Sequence, residues 1–146
     1  MKKNKCMELK LISENDKEFV KGISKNLSDT DFDNLVFTKS GYIIYHQEKQ
    51  VGIILYCLLW NKIPFMNLIY IDEKYRNLGL GTKAIINYEK QMKIKGYKMV
   101  LTSTQVDEKT QNLYRKLGYL ECGGMVFNNT PYDQPMEMFF NKVLSK

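Results

Sequence analysis

The sequence predicts an α+β fold with a mixed β-sheet, and three observations predict it. Runs rich in β-branched and aromatic residues between Gly41 and Trp60 read as a hairpin. Beyond them, strand-like runs alternate with helical periodicity. No linker, internal repeat or low-complexity tract interrupts the 146 residues. One ordinary domain over residues 1–146 is therefore expected, long enough to bury a substantial core.

Each element has a local reason. Glu8-Leu9-Lys10-Leu11-Ile12 alternates and reads as a short first strand. Ser13 offers an N-cap, with Glu14, Asp16 and Glu18 where the helix dipole favours acids. Phe19, Val20 and Ile23 give that helix an apolar face. A second short helix is expected from Asp29 to Val36, with Phe32, Leu35 and Val36 inward. Gly41 to His46 and Gln50 to Tyr56 flank Gln47-Glu48-Lys49 as a hairpin, its second strand running on to Trp60. Asn61-Lys62-Ile63-Pro64 turns the chain into a fourth strand, Phe65 to Ile71. From Leu80, the positions Ala84, Ile85, Tyr88, Met92 and Ile94 recur at near-helical spacing, ending at Lys95-Gly96. Met99-Val100-Leu101 forms a buried strand. Asp107 can cap a helix through Leu117, with Leu113, Tyr114 and Leu117 on one face, and Gly118 stops it. Tyr119 to Phe127 and Met136 to Val143 close the sheet.

Composition narrows the function classes. No apolar run approaches the ~20 residues needed to span a bilayer. The basic start, Met1 to Lys5, leads into Cys6-Met7-Glu8-Leu9-Lys10 and not into a signal-peptide apolar segment, so a cytoplasmic protein is expected. Lys and Arg number 22 against 16 Asp and Glu, a net charge of +6 that suits a polyanionic ligand. The lysines are dispersed, with no dense block to form a nucleic-acid track. Cys6, Cys57 and Cys122 cannot all pair and lack metal-ligand spacing; with His46 the single histidine, no metal site is expected. Cys57 and Cys122 read as buried strand cysteines.

The densest chemistry lies in Arg76-Asn77-Leu78-Gly79-Leu80-Gly81-Thr82, after an apolar run and at a helix start. Unpaired N–H groups and the helix dipole favour an anion there, and glycine lets backbone approach it closely. A pyrophosphate cradle is one reading; tight helix–strand packing of Gly79 and Gly81 is the other. A second segment, Asn112-Leu113-Tyr114-Arg115-Lys116-Leu117-Gly118-Tyr119, joins a helix to a strand. By spacing alone, Tyr114 reads as core and Asn112 as an exposed helix residue.

In this order and context, the two segments resemble the GNAT-type N-acetyltransferases over nearly the whole chain. Arg76 to Thr82 is similar to that family's Arg/Gln-x-x-Gly-x-Gly/Ala loop, preceded by Ile69-Tyr70-Ile71. The second segment is similar to the family's Asn–aromatic–Gly–aromatic pattern, with the first gap shortened to Asn112-Leu113-Tyr114. The resemblance implies a GNAT-like fold: a twisted, mostly antiparallel mixed sheet of about seven strands with about four helices. It implies acetyl-CoA as co-substrate, a primary amine of a small molecule or peptide as acceptor, direct attack, and a possible homodimer. Arg76, Asn77, Leu78, Gly79, Leu80, Gly81 and Thr82 would then hold the pyrophosphate. Ile69, Tyr70 and Ile71 would flank the pantetheine arm, and Asn112 would bind it from the later helix. Tyr114 would be the general acid for the thiolate. Many members carry a Glu early in the fourth strand as base; here Asn67 stands in Phe65-Met66-Asn67-Leu68 and cannot accept a proton. Asp72, Glu73 and Glu121 are carboxylates in the general region, and none is assigned the role. The missing Glu leaves a second reading, a non-catalytic acyl-CoA-binding or sensing domain.

Overall fold

A computed structural model describes residues 7–144; Cys6 and the basic stretch before it lie outside the described residues. In chain order, the strands and helices are β1 (Glu8–Leu11), α1 (Lys17–Ile23), α2 (Asp29–Thr38), β2 (Gly41–His46), β3 (Lys49–Leu59) and β4 (Ile63–Ile71). Then come α3 (Leu80–Ile94), β5 (Met99–Gln105), α4 (Thr110–Lys116), β6 (Leu120–Met125) and β7 (Glu137–Val143). Short 3₁₀ turns at Glu14–Asp16 and Glu73–Tyr75 precede α1 and the α3 loop. The seven strands form one sheet in the order β1-β2-β3-β4-β5-β7-β6. Its β4–β5 ladder is parallel, while β1–β2, β2–β3, β5–β7 and β6–β7 are antiparallel. The mixed, mostly antiparallel sheet matches the expectation.

The chain divides into two compact units. The first comprises the residues up to Cys57 together with Leu68–Tyr88. Val20 of α1 and Phe32 of α2 are buried with Ile43, Ile53 and Leu55 of the sheet, and Leu68 and Tyr70 pack against that cluster. Fully burying one such side chain is worth roughly 2 kcal/mol. The caps are local: Ser13 and Asp16 form a capping box, and the Ser28 hydroxyl accepts from the Asp31 N–H at 3.0 Å. The β2–β3 hairpin is closed by the two residues Gln47-Glu48, both at positive φ. Gly52 is required by close approach, since a Cβ there would lie 2.1 Å from the Tyr70 carbonyl oxygen. The Asp72 N–H donates to the Val51 carbonyl at 2.7 Å beside it.

The second unit comprises Leu58–Asn67 and the residues from Glu89 onward. Strand β5 alternates strictly, burying Val100, Thr102 and Thr104. The Tyr114 ring meets Phe140 and Tyr119, with centroids 5.7 and 5.6 Å away. Phe65 packs on Phe139 at 5.8 Å. Gly118, at φ +91°, ends α4 in the left-handed region that glycine tolerates.

Several expectations are corrected. Strand β3 ends at Leu59, because Trp60 enters the turn and is 74% exposed; β4 accordingly begins at Ile63, not Phe65. Ile94 lies two residues beyond buried Met92, about 200° around the helix, and is exposed. Asp107 does not cap α4: it sits in a turn closed by the Glu108 N–H to the Gln105 carbonyl, and the helix starts at Thr110. Cys57 is exposed because β3 is buried only from Val51 to Tyr56. Cys122 is exposed on the edge strand β6, all of whose residues face solvent, where the β6–β7 register slips between Glu121 and Gly123.

Candidate active site

The first piece of the site lies in the first unit, where β4 runs through a 3₁₀ turn into α3. Asn77 and Gly79 adopt left-handed φ of +64° and +76°, folding the loop over the start of the helix. Gly79 closes the first helical bond, its carbonyl accepting from the Lys83 N–H at 3.2 Å. Among the described residues, the backbone N–H groups of Leu78, Gly79, Leu80, Gly81 and Thr82 find no protein acceptor. These are the orphan donors of a 15-residue helix, concentrated where its dipole is positive. A Cβ at Gly79 or Gly81 would meet no atom within 4 Å. Tight packing therefore does not explain these glycines, while an open cradle lined with donors does.

Leu80 is buried and anchors the helix, whereas Leu78 is 54% exposed at the loop tip. Gly81 and Thr82 are half-buried. Arg76 is exposed, and its Nε donates to the Ile71 carbonyl at 2.8 Å. Its guanidinium lies 5.2 Å from the centre of the Tyr70 ring. The end of β4 thus holds the cation beside the loop, which sequence spacing alone did not reveal. Ile69, Tyr70 and Ile71 are half-buried, and Tyr70 helps cover the first unit's core.

The second piece belongs to the second unit and centres on Tyr114, which is 2% exposed. Its hydroxyl shares a hydrogen bond with the Thr102 hydroxyl. Thr102 Oγ1 in turn donates to the Met66 carbonyl at 3.0 Å. Burial pushes the phenol above its ordinary value of 10.0; the Thr102 bond opposes that, and the charges of Glu108 and Glu137 add to it. The phenol is thus neutral at neutral pH. Asn112, two residues earlier on α4, is exposed, and its Oδ1 accepts from Arg115 Nη1 at 3.5 Å.

The carboxylates considered from the sequence lie elsewhere. Glu121 is taken by Arg115, whose Nε donates to it at 3.0 Å and whose Nη2 pairs with the same oxygen. Asp72 opens the 3₁₀ turn with its carbonyl, and Glu73 is exposed. Asn67 is exposed on β4. Sequence reasoning missed Thr102, Ser103 and Glu137, although the polar Thr102-Ser103-Thr104 inside a buried strand was a visible signal. Among the described residues, no group of three or more His, Cys, Asp or Glu side chains is placed to hold a metal ion.

Comparisons with known proteins bear on the family and the fold. The sequence profile described as the Acetyltransferase (GNAT) family matches residues 9–119. No curated protein matches the chain significantly. Among solved structures, Ard1 from Thermoplasma volcanium superposes with a TM-score of 0.81 at 15% identity, covering 97% of this chain and 99% of that one. Arabidopsis thaliana Naa50, in complex with the bisubstrate analogue CoA-Ac-MVNAL, gives 0.78 at 12% identity, covering 94% and 98%. A GNAT family acetyltransferase from Elizabethkingia anophelis with acetyl-CoA bound gives 0.74 at 16% identity, covering 94% and 98%. At such identities the superpositions speak for the fold; the profile match, over most of the chain, speaks for descent. The chain belongs to the GNAT family of acetyltransferases, enzymes that draw their acyl group from acyl-CoA.

Proposed function

We infer that this protein transfers an acetyl group from acetyl-CoA to a primary amine by direct attack, with both substrates bound together. The observation that carries this reading is the row of N–H groups from Leu78 to Thr82, unpartnered among the described residues, over the open space at Gly79 and Gly81. A pyrophosphate supplies the acceptors those donors lack. In this reading Asn77, Leu78, Gly79, Leu80, Gly81 and Thr82 hold the phosphates through main chain, with the Thr82 hydroxyl as a further donor. Arg76 adds a charge-assisted bond.

The edge of β4 at Ile69, Tyr70 and Ile71 receives the pantetheine arm as an added strand. An amide N–H there polarises the thioester carbonyl; losing one such donor costs ~3 kcal/mol in other acyl-transfer enzymes. Asn112 binds the same arm from α4. Tyr114 protonates the departing thiolate, a role supported by its burial and its raised phenol pKa. The acceptor is a small-molecule or peptide amine, and the reaction is cytoplasmic. Among the described residues, no helix is long and apolar enough to cross a membrane.

The test is an acetyl-CoA consumption screen over simple amines, polyamines, aminoglycosides and peptides, run on the wild type and on Tyr114→Phe. Turnover that collapses in the variant while CoA affinity holds supports the reading. CoA binding without turnover on any amine would instead favour the sensing domain.

A further inference from the structure

The direct attack inferred above needs a proton acceptor, because an amine is protonated at neutral pH and β4 offers only Asn67. The second unit contains a carboxylate arranged for that task. Glu137 begins β7, opposite Gln105 in the β5–β7 register, and is half-buried. Ser103 Oγ donates to its Oε2 at 2.6 Å, and Gln134 Nε2 donates to its Oε1 at 3.0 Å. Both oxygens are therefore oriented by neutral donors. Among the described residues, no Lys, Arg or His forms an ion pair with Glu137. A fixed carboxylate without a resident cation is suited to a visiting ammonium group.

Its position on the sheet matches the chemistry. Successive strand residues point to opposite faces, so Thr102 meets Tyr114 on one side of β5 and Ser103 meets Glu137 on the other. The parallel ladder to β4 has its pairs at Phe65–Leu101 and Met66–Thr102, so Ser103 is the first β5 residue beyond that ladder. The β5 residues that hold the acid and the base, Thr102 and Ser103, are thus adjacent and face opposite ways, where the ladder to β4 ends. Charged groups near this centre on the Tyr114 side are Glu108, which accepts from Thr104 Oγ1 at 3.4 Å, and Arg115, paired with Glu121 and 4.0 Å from Met138 Sδ.

We propose that Glu137, positioned by Ser103, is the base that takes the proton from the acceptor's ammonium group, from the face of β5 opposite Tyr114. This rests on the acetyl-transfer reading. The ammonium gives one proton to the Glu137 carboxylate, directly or through the Ser103 hydroxyl. The amine nitrogen bonds to the acetyl carbon as the C–S bond breaks, and the thiolate takes the Tyr114 proton. The second nitrogen proton restores the phenol, and Glu137 releases its own proton to water.

Glu137→Gln keeps the side-chain shape and tests the proposal together with Ser103→Ala. Two readouts apply: the pH profile of kcat on the acceptor found in the amine screen, and calorimetric binding of spermidine and of a free-N-terminus peptide in the presence of CoA. The expectation for Glu137→Gln is a ~10²–10⁴-fold fall in kcat at pH 7, an acidic limb moved toward the pKa of the amine itself, and unchanged CoA affinity. Ser103→Ala should show a smaller loss in the same direction. A wild-type profile in Glu137→Gln, or a shifted limb in Glu108→Gln in its place, overturns the proposal and leaves acetyl transfer standing. A wild type that neither turns over nor binds any amine overturns acetyl transfer, and this base with it.

Discussion

The Tyr119 hydroxyl donates to Glu89 Oε2 at 2.9 Å in the protein interior, while the other oxygen of Glu89 accepts from Lys142 Nζ at 2.8 Å. Glu89 is one of the few buried charged or polar residues, on the same α3 face as Ile85 and Met92. The carboxylate ties the end of α3 to β7 and to the residue after Gly118. Tyr119, the last residue of the second motif, is therefore anchored through its hydroxyl to α3.

Removing the carboxylate takes the shared partner from both donors. Glu89→Ala should lower unfolding stability by roughly 3 kcal/mol, since it leaves a partly buried ammonium and a buried hydroxyl without their carboxylate. Tyr119→Phe should cost about 1 kcal/mol, because the ring stays and Lys142 still satisfies Glu89. Urea denaturation midpoints check both, and an unchanged midpoint in Glu89→Ala would show that the cluster is not stabilising.

At the loop, Gly81→Val separates binding from folding. Its Cβ enters open space and its φ is not left-handed, so the melting temperature should move little. The branched side chain would nonetheless fill the proposed cradle, and CoA affinity measured by calorimetry should fall at least ~10-fold, or about 1.4 kcal/mol. Gly79→Val should lose both affinity and stability, because φ of +76° strains a β-branched residue. Arg76→Ala should weaken CoA by roughly 1.5–3 kcal/mol, the worth of a hydrogen bond to a charged group. Equal affinity in Gly81→Val and the wild type would move the pyrophosphate elsewhere.

Tyr114→Phe keeps the ring against Tyr119 and Phe140, so folding should survive while kcat falls ~10²–10⁴-fold. The sign of its pH dependence follows from burial. A phenol raised above 10.0 in the folded state stays protonated through neutral pH. The wild-type alkaline limb from this group should thus lie above the ordinary tyrosine range. The same shift favours the native state fully below pH 10, and stability should decline as pH rises beyond that, when the unfolded chain ionises first. Rate profiles and denaturation between pH 8 and 11 give the check, in wild type and variant.

Gly52→Ala probes the join of β3 and β4. The added methyl would sit 2.1 Å from the Tyr70 carbonyl oxygen, a backbone atom that cannot rotate away. A loss of roughly 1–3 kcal/mol is expected from forced overpacking, with β4 displaced near Ile69 to Ile71. Amide exchange across β4 should quicken in the variant; wild-type protection there would argue that the strands separate freely.

Much of this was legible in the residues. The hairpin turn at Gln47-Glu48, the α3 stripe of Ala84, Ile85, Tyr88 and Met92, and the donor-rich start of α3 all lie within a few residues of their causes. The misreadings share one origin. Cys57 and Cys122 carry apolar patterns whose cover ends or was never present, and Asp107 has the right chemistry for a cap three residues before the helix that forms. Propensity and periodicity describe a segment, whereas burial describes what a distant segment does to it.

The sequence by itself determined the α+β order of elements, the glycine-bearing loop at a helix start and the family, because each is written in short-range spacing. Tertiary structure alone decided that Ser103 meets Glu137 across 34 residues, that Tyr119 meets Glu89 across 30, and that Lys142 meets Glu89 across 53. Hydrogen-bond partners and strand faces are set by register between segments far apart in the chain, and a one-residue slip would turn every such side chain to the other face.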